Sequence, residues 1–327
     1  MNKTGIEWCG FSWNPITGCP PPLISPGCDN CYARRVAETR LRGRCGYDAL
    51  EPFGIQQHEE RWLEPLLRKK PAVIFACSMG DLFHEAVFDF HIAQVFAVMA
   101  LCPQHTFMVL TKRADRLEKF LNDRSTRACD LRGEAYQKMA RRAGVSQNMD
   151  GLRWPLSNVI HGITICNQAE ADEKLVPFQY LPDTRYFLSL EPLLGAVRLE
   201  PRHGVGGCMG SPVCLVIAGG ETGADARPMH PDWPRGVRDV CQEWGVPFVF
   251  KGWGQWLPCS QEYDGVVLPL DERHWGMIDQ FGNFDAGTSP FWECVNGADS
   301  EQTFRIGKKR AGRLLDSREW NEFPEVM

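Results

Sequence analysis

The 327-residue chain is 43% hydrophobic and 24% charged, enough apolar material for one full core with additions. Its fourteen cysteines are irregularly spaced and its opening residues, MNKTGIEWCGFSWNP, lack a secretory pattern, which argues against a disulfide-stapled secreted domain and for reduced thiols. With no run of 18 apolar residues, a cytoplasmic protein without a membrane partner is expected, and the net charge of −5 leaves any polyanionic partner dependent on a local basic patch.

Short apolar runs alternate with longer helical patterns, the signature of βαβ units with a parallel sheet. The first expected strand, residues 6–13, leads into the loop WNPITGCPPPLISPGCDNCYARR, which carries Cys19, Cys28 and Cys31. Expected helices follow at 32–42, which with Arg44 supplies a basic patch of Arg34, Arg35, Arg40 and Arg42, and at 59–69. A strand at 72–78 ends in Ser78, Asp81 and His84, and a helix at 90–101 buries Phe90, Val95, Phe96, Met99 and Ala100 on one face. A strand at 106–111 ends in Lys112 and Arg113, and a helix at 114–121 precedes an Arg-rich insertion near 122–154. The strand at 159–166 delivers Thr164 and Asn167, a helix covers 169–180, and the strand at 186–190 delivers Ser189 and Glu191. A Gly-rich insertion at 203–211 separates this from a strand at 215–219 ending in Gly219, Gly220 and Glu221. Arg227 and His230 lie in the next loop, a helix covers 233–244, and the last strand, 248–251, presents Lys251 with Trp253 and Trp256 beyond it.

Six or seven such repeats give an α/β fold, a partial or complete (β/α) barrel of about six to seven parallel strands spanning residues 1–258, although a doubly wound open sheet has the same linear pattern. Residues 259–327, including the basic Lys308, Lys309, Arg310 and Arg313, form a C-terminal extension or cap. Cys77, Cys102, Cys166 and Cys214 sit in or beside apolar runs and are expected in the core.

The cysteine loop is the informative segment. Pro20, Pro21, Pro22 and Pro26, with Gly18 and Gly27, forbid regular structure, so the chain is able to wrap around a bound centre. Three thiolates from one loop after a first strand suit three irons of a [4Fe-4S] cubane and leave the fourth iron open for S-adenosylmethionine. The alternative on spacing is a four-cysteine zinc site completed by Cys45, in a zinc-stabilised nucleic-acid-binding protein without catalysis.

The strings WNP, GC, SPGCDNCYA, SMGDLFHE, LTKR, LSLEPLLG, GGETGADARPMHP, FKGWG and GKKRAGRLLD, in that order, resemble a phage and bacterial three-cysteine family assigned to the radical S-adenosylmethionine (SAM) superfamily. The resemblance covers nearly the whole chain. It departs from the common signature in an eight-residue first gap and in Asn30 at the usual aromatic position, leaving Tyr32 as the candidate for adenine. It implies a TIM-barrel-like fold and an enzyme of isomerase or lyase type. The implied substrate is a nucleic-acid base or nucleotide, such as hypermodified thymine in phage DNA, in the host cytoplasm if the chain is phage-encoded. It also implies an external electron donor such as flavodoxin or ferredoxin. Candidate SAM contacts are Tyr32, Ser78, Asp81, Thr164, Asn167, Ser189, Glu191, Gly219, Gly220 and Glu221. Candidate substrate contacts are His84, Lys112, Arg113, Arg227, His230 and Lys251, and Cys19, Cys28 and Cys31 are the candidate cluster ligands.

Overall fold

A computed structural model describes residues 1–177, 185–200, 213–261, 275–286 and 300–324. The Gly-rich insertion expected at 203–211 and the last three residues of the helix expected at 169–180 lie outside the described residues.

Among the described residues, the main sheet has eight strands in the order β1 (Asn2–Lys3), β2 (Phe11–Trp13), β5 (Val73–Ala76), β6 (Thr106–Thr111), β7 (Val159–Thr164), β8 (Arg185–Leu190), β9 (Val213–Gly219) and β10 (Phe248–Gly252). From β2 to β10 every neighbouring pair is parallel and follows chain order, while β1 is antiparallel at one edge. The other edge is covered: the N–H of Phe250 donates to Trp320 O (2.9 Å) and that of Glu322 to Phe248 O (3.1 Å). Such pairing removes a row of open donors and acceptors that would invite edge-to-edge association.

Apolar residues at alternate positions send the strands' side chains into two clusters. Ile74, Ala76, Phe107, Val109, Val216, Ala218, Phe248 and Phe250 pack outward under the helices. Phe75, Met108, Ile160, Phe187, Leu215, Ile217 and Val249, drawn from six strands, meet inside with Trp8 and Cys9. Trp8 lies 4.6 Å from Phe75 and 5.7 Å from Phe187, ring centre to ring centre, so the segment before β2 plugs the inner face. The first strand is therefore shorter than the expected 6–13, because its apolar residues Trp8 and Cys9 serve the interior rather than the ladder.

The helices are α1 (Tyr32–Val36), α2 (Asp89–Ala100), α3 (Ala114–Asn122), α4 (Thr126–Ala143), α5 (Gln168–Lys174), α6 (Asp232–Trp244) and α7 (Lys308–Ala311). The helix expected at 32–42 continues α1 only as a π-helical turn over Ala37–Leu41. That expected at 59–69 is two 3-10 turns, Glu59–Arg61 and Glu64–Leu67, as Pro65 has no N–H for a continuous ladder. The insertion near 122–154 contains α4, which starts at the Ser125 cap and packs against α2. This explains why α2 is buried from Ile92 to Met99 rather than along one stripe.

In the C-terminal region, β11 (Trp256–Pro258), β12 (Trp275–Asp279), β13 (Phe284–Ala286) and β14 (Ser300–Arg305) form an antiparallel sheet in the order β11-β14-β12-β13. Two small ribbons pair β3 (Ile16–Thr17) with β4 (Gln56–Gln57) and β15 (Leu314–Leu315) with β16 (Arg318–Glu319). Among the described residues, no helix is long and apolar enough to cross a membrane.

Candidate functional site

The cysteine loop leaves β2, crosses the C-terminal ends of the parallel strands and re-enters regular structure at α1. Its first turn is held by backbone: Gly18 N–H donates to Met79 O (2.9 Å), Cys19 N–H to Phe53 O (3.0 Å) and Asp81 N–H to Gly18 O (3.3 Å). Gly18 has φ +96°, and a Cβ there would lie 1.9 Å from Gly54 O, so only glycine lets the chains approach this closely. Further on, Ser25 Oγ accepts from Gly27 N–H and lies 3.5 Å from Cys166 Sγ at the end of β7.

Cys19, Cys28 and Cys31 all line a cavity of about 120 Å³, together with Tyr32, Ser78, Asp81, Lys112, Arg113 and Thr164. It adjoins a larger cavity of about 380 Å³ over the strand ends, lined by Cys31, Tyr32, Lys112, Thr164, Ser189, Glu191, Gly219, Gly220, Glu221 and Lys251. Strand register explains the convergence. Thr111 pairs with Ile163, and Thr164 with Ser189, so Lys112, Thr164 and Ser189 stand at one level on neighbouring strands. Phe75 and Leu110 lie below as an apolar floor shared by both cavities. All the candidate SAM contacts except Asn167 line one cavity or the other. Asn167 instead caps α5, its Oδ1 accepting from Glu170 N–H at 3.0 Å.

Ion pairs occupy much of the polar lining. Asp81 (7% exposed) and Arg113 (6%) pair at 3.0 Å, Thr111 Oγ1 donates to Asp81 at 2.7 Å, and Arg113 Nε reaches Glu85 at 2.8 Å. Arg113 Nη1 also lies 3.7 Å from Cys19 Sγ, and its buried Nη2 has no hydrogen-bond partner among the described residues. Burial pushes the Cys19 thiol up to about 11, with Asp81 adding to the effect and Arg113 opposing it. Lys251 Nζ pairs with Glu191 at 2.6 Å; burial works against its charge, but Glu191, with Glu7 and Cys9, acts the other way and the pKa rises. Burial likewise works against the Glu221 carboxylate, yet bonds from Arg227 and Asn30 hold its pKa below the usual value.

Three candidate substrate contacts make hydrogen bonds within the protein. Arg227 grips Glu221 (2.6 Å), Pro26 O (2.8 Å) and Asp29 (3.3 Å), and so ties the β9 loop to the cysteine loop. His84 is buried, with Ala86 N–H donating to its Nδ1, which leaves Nε2 to donate to Pro20 O at 3.0 Å. His230 is buried outside both cavities, and its Nδ1 accepts from Asp232 N–H at 3.3 Å. Trp253 and Trp256 are core residues whose indole N–H groups donate to Leu314 O and Ala226 O. Lys112 is different: it lines both cavities, and among the described residues its ammonium makes no hydrogen bond or ion pair. Burial opposes its charge, but the pull of Cys166, Cys28, Cys31 and Asp81 is stronger and its pKa is raised.

Nothing in the sequence signals that Gly5, Ile6, Glu7 and Trp8 line the larger cavity; Asn30, which stands out there only as a departure from the common signature, and Lys308, only within a basic patch, line it as well. No local pattern marks the first four; they are brought in by Trp8 plugging the sheet. Among the described residues, no three His, Cys, Asp or Glu side chains converge tightly enough for a single metal ion, and Cys45 is exposed outside the cysteine cavity.

These features define an α/β protein with a mostly parallel sheet and two adjoining cavities at its strand ends. A family model described as "Protein of unknown function (DUF5131)" matches residues 3–324, and the chain belongs to that family. No curated protein and no solved structure matches it.

Proposed function

We propose that this protein is a radical SAM enzyme of isomerase or lyase type, in which Cys19, Cys28 and Cys31 hold a [4Fe-4S] cluster and a nucleic-acid base or nucleotide is the substrate. The observation that carries the reading is the sharing of one cavity by three cysteines of a single loop, directly beside a larger cavity at the ends of parallel strands. Seven parallel strands in chain order, with their inner face gathered around Trp8, favour a partial (β/α) barrel over a doubly wound sheet, whose strand order reverses at a switch point. The residues fit a cluster: three thiols line the cavity and, among the described residues, the buried Arg113 Nη2 lacks a partner and the Lys112 ammonium makes no ion pair, so both are able to face negative charge.

When bound, the cluster and SAM supply a 5′-deoxyadenosyl radical that abstracts a hydrogen atom, the electron coming from an external donor such as flavodoxin or ferredoxin. The chain's own residues have distinct tasks. Trp8, Phe75 and Leu110 exclude water from the cavity floor. Arg113, His84 and Arg227 fix the cysteine loop from three sides. Thr164, Ser189, Glu191 and Lys251 offer donors and acceptors along one wall. The exposed cations Arg35 and Lys308 support a phosphate-bearing substrate. Lys308 lines the larger cavity, while Arg35 packs on Gly223, next to the lining residue Thr222. A base within a duplex would need to be flipped out to enter.

The test is anaerobic purification after iron and sulfide reconstitution. The reading requires brown protein with about four irons per chain, lost on Cys28→Ala. A colourless, zinc-loaded protein would point instead to the zinc-stabilised nucleic-acid binder.

A further inference from the structure

We infer that Lys112 is an electrostatic tuning residue, whose unpaired ammonium makes the cluster easier to reduce. The inference rests on the proposed cluster reading and adds to it a role for a residue that is not a ligand. Lys112 follows β6, where the register with β7 sets it level with Thr164, and it borders both the cysteine cavity and the larger cavity. Of the other cations near the two cavities, Arg113 is committed to Asp81 and Glu85, Lys251 to Glu191, and Arg227 to Glu221 and Asp29, while Arg34 lies over the Phe53 ring and Lys308 is exposed on the larger cavity alone. Lys112 has no such partner among the described residues, and the groups whose charge acts on it include Cys28, Cys31 and Cys166.

A half-buried cation on a cavity wall acts on nearby charge at lower effective dielectric than bulk water provides. One-electron reduction takes a [4Fe-4S] cubane from its 2+ to its 1+ state, adding one negative charge. Lys112 attracts the reduced form more strongly than the oxidised one, so its charge raises the reduction potential. Neutralising it should make reduction harder, whereas moving the same charge to a guanidinium should largely preserve it.

The experiment is a dithionite titration of reconstituted protein, followed by electron paramagnetic resonance at controlled potential, on wild type, Lys112→Met, Lys112→Gln, Lys112→Arg and the mouth control Lys308→Met. In both neutral variants the reduced-to-oxidised ratio at fixed potential should fall at least tenfold, equivalent to about 59 mV for a one-electron couple. Lys112→Arg and Lys308→Met should stay close to wild type. Wild-type potentials in both neutral variants overturn the inference and leave the cluster reading standing; a wild-type protein that assembles no cluster overturns that reading itself. If neither neutral variant assembles a cluster while Lys112→Arg does, the charge serves assembly of the site rather than its potential, which overturns the assignment. Loss of assembly in Lys112→Arg as well makes the role one of shape and overturns it.

Discussion

Replacing Arg113 by alanine tests how the cysteine loop is anchored. The guanidinium is 6% exposed and bonds at one end to Asp81, itself 7% exposed, and at the other to Glu85, whose side chain is 64% exposed. The exposed Glu85 arm should contribute about 0–1 kcal/mol. The Asp81 arm dominates, because truncation leaves a buried carboxylate with only Thr111 Oγ1 and the backbone N–H groups of Phe83 and Lys112. Breaking one side of such a pair costs about 3–5 kcal/mol. Arg113→Ala should therefore lower unfolding stability by that amount in urea titrations of the cluster-free protein read by tryptophan fluorescence. Asp81→Asn combined with Arg113→Ala should recover about 2 kcal/mol relative to the sum of the single changes, since no orphaned charge remains. A loss below about 1 kcal/mol, or strict additivity, would refute the claim that the pair carries this corner of the site.

Acid sensitivity and loop packing give two further predictions. His161 and His58 are buried, and burial pulls their pKa values down to about 3 and about 4 from 6.5, with Arg61 assisting at His58. Both are neutral in the fold and protonated in the unfolded chain between those values, so their contribution is complete above pH 6.5 and is lost as pH falls towards 3. Each should cost about 2 kcal/mol at pH 5, and His161→Phe, which keeps a ring stacked on Phe96, should remove its share; an unchanged acid limb would count against this. At Gly27 a Cβ would sit 2.7 Å from Cys166 Sγ and 2.9 Å from Pro192 Cδ, forcing the cysteine loop off β7 and β8. Gly27→Ala should at least halve the iron retained after reconstitution while leaving far-ultraviolet circular dichroism intact, and full iron content would contradict the packing argument.

The middle strands were legible because each is a continuous apolar run, as a sheet covered on both faces requires. Their alternation also exposed the strand-end residues: Thr164, Ser189, Glu191, Gly219 and Lys251 line the larger cavity as their position implied. Elsewhere local pattern misled. Trp8 and Cys9 read as strand because they are apolar, but tertiary packing claims them as a plug. The C-terminal sheet was hidden because strands as short as Trp256–Pro258 and Phe284–Ala286 show too few alternations to separate from loop. His84 and Arg227 stood out as loop residues for a substrate, but the sequence did not show that they donate to the half-buried Pro20 O and Pro26 O of the cysteine loop. Periodicity does not report such contacts.

The most direct test of the central claim is the formation of 5′-deoxyadenosine by the anaerobically reconstituted protein given dithionite and SAM, measured by chromatography and mass spectrometry. The account predicts product with the wild type and none with Cys19→Ala, Cys28→Ala or Cys31→Ala, each of which removes one of the three thiols bordering the smaller cavity. Cluster-loaded wild-type protein that forms no 5′-deoxyadenosine, or a cysteine variant that forms as much as wild type, would contradict it.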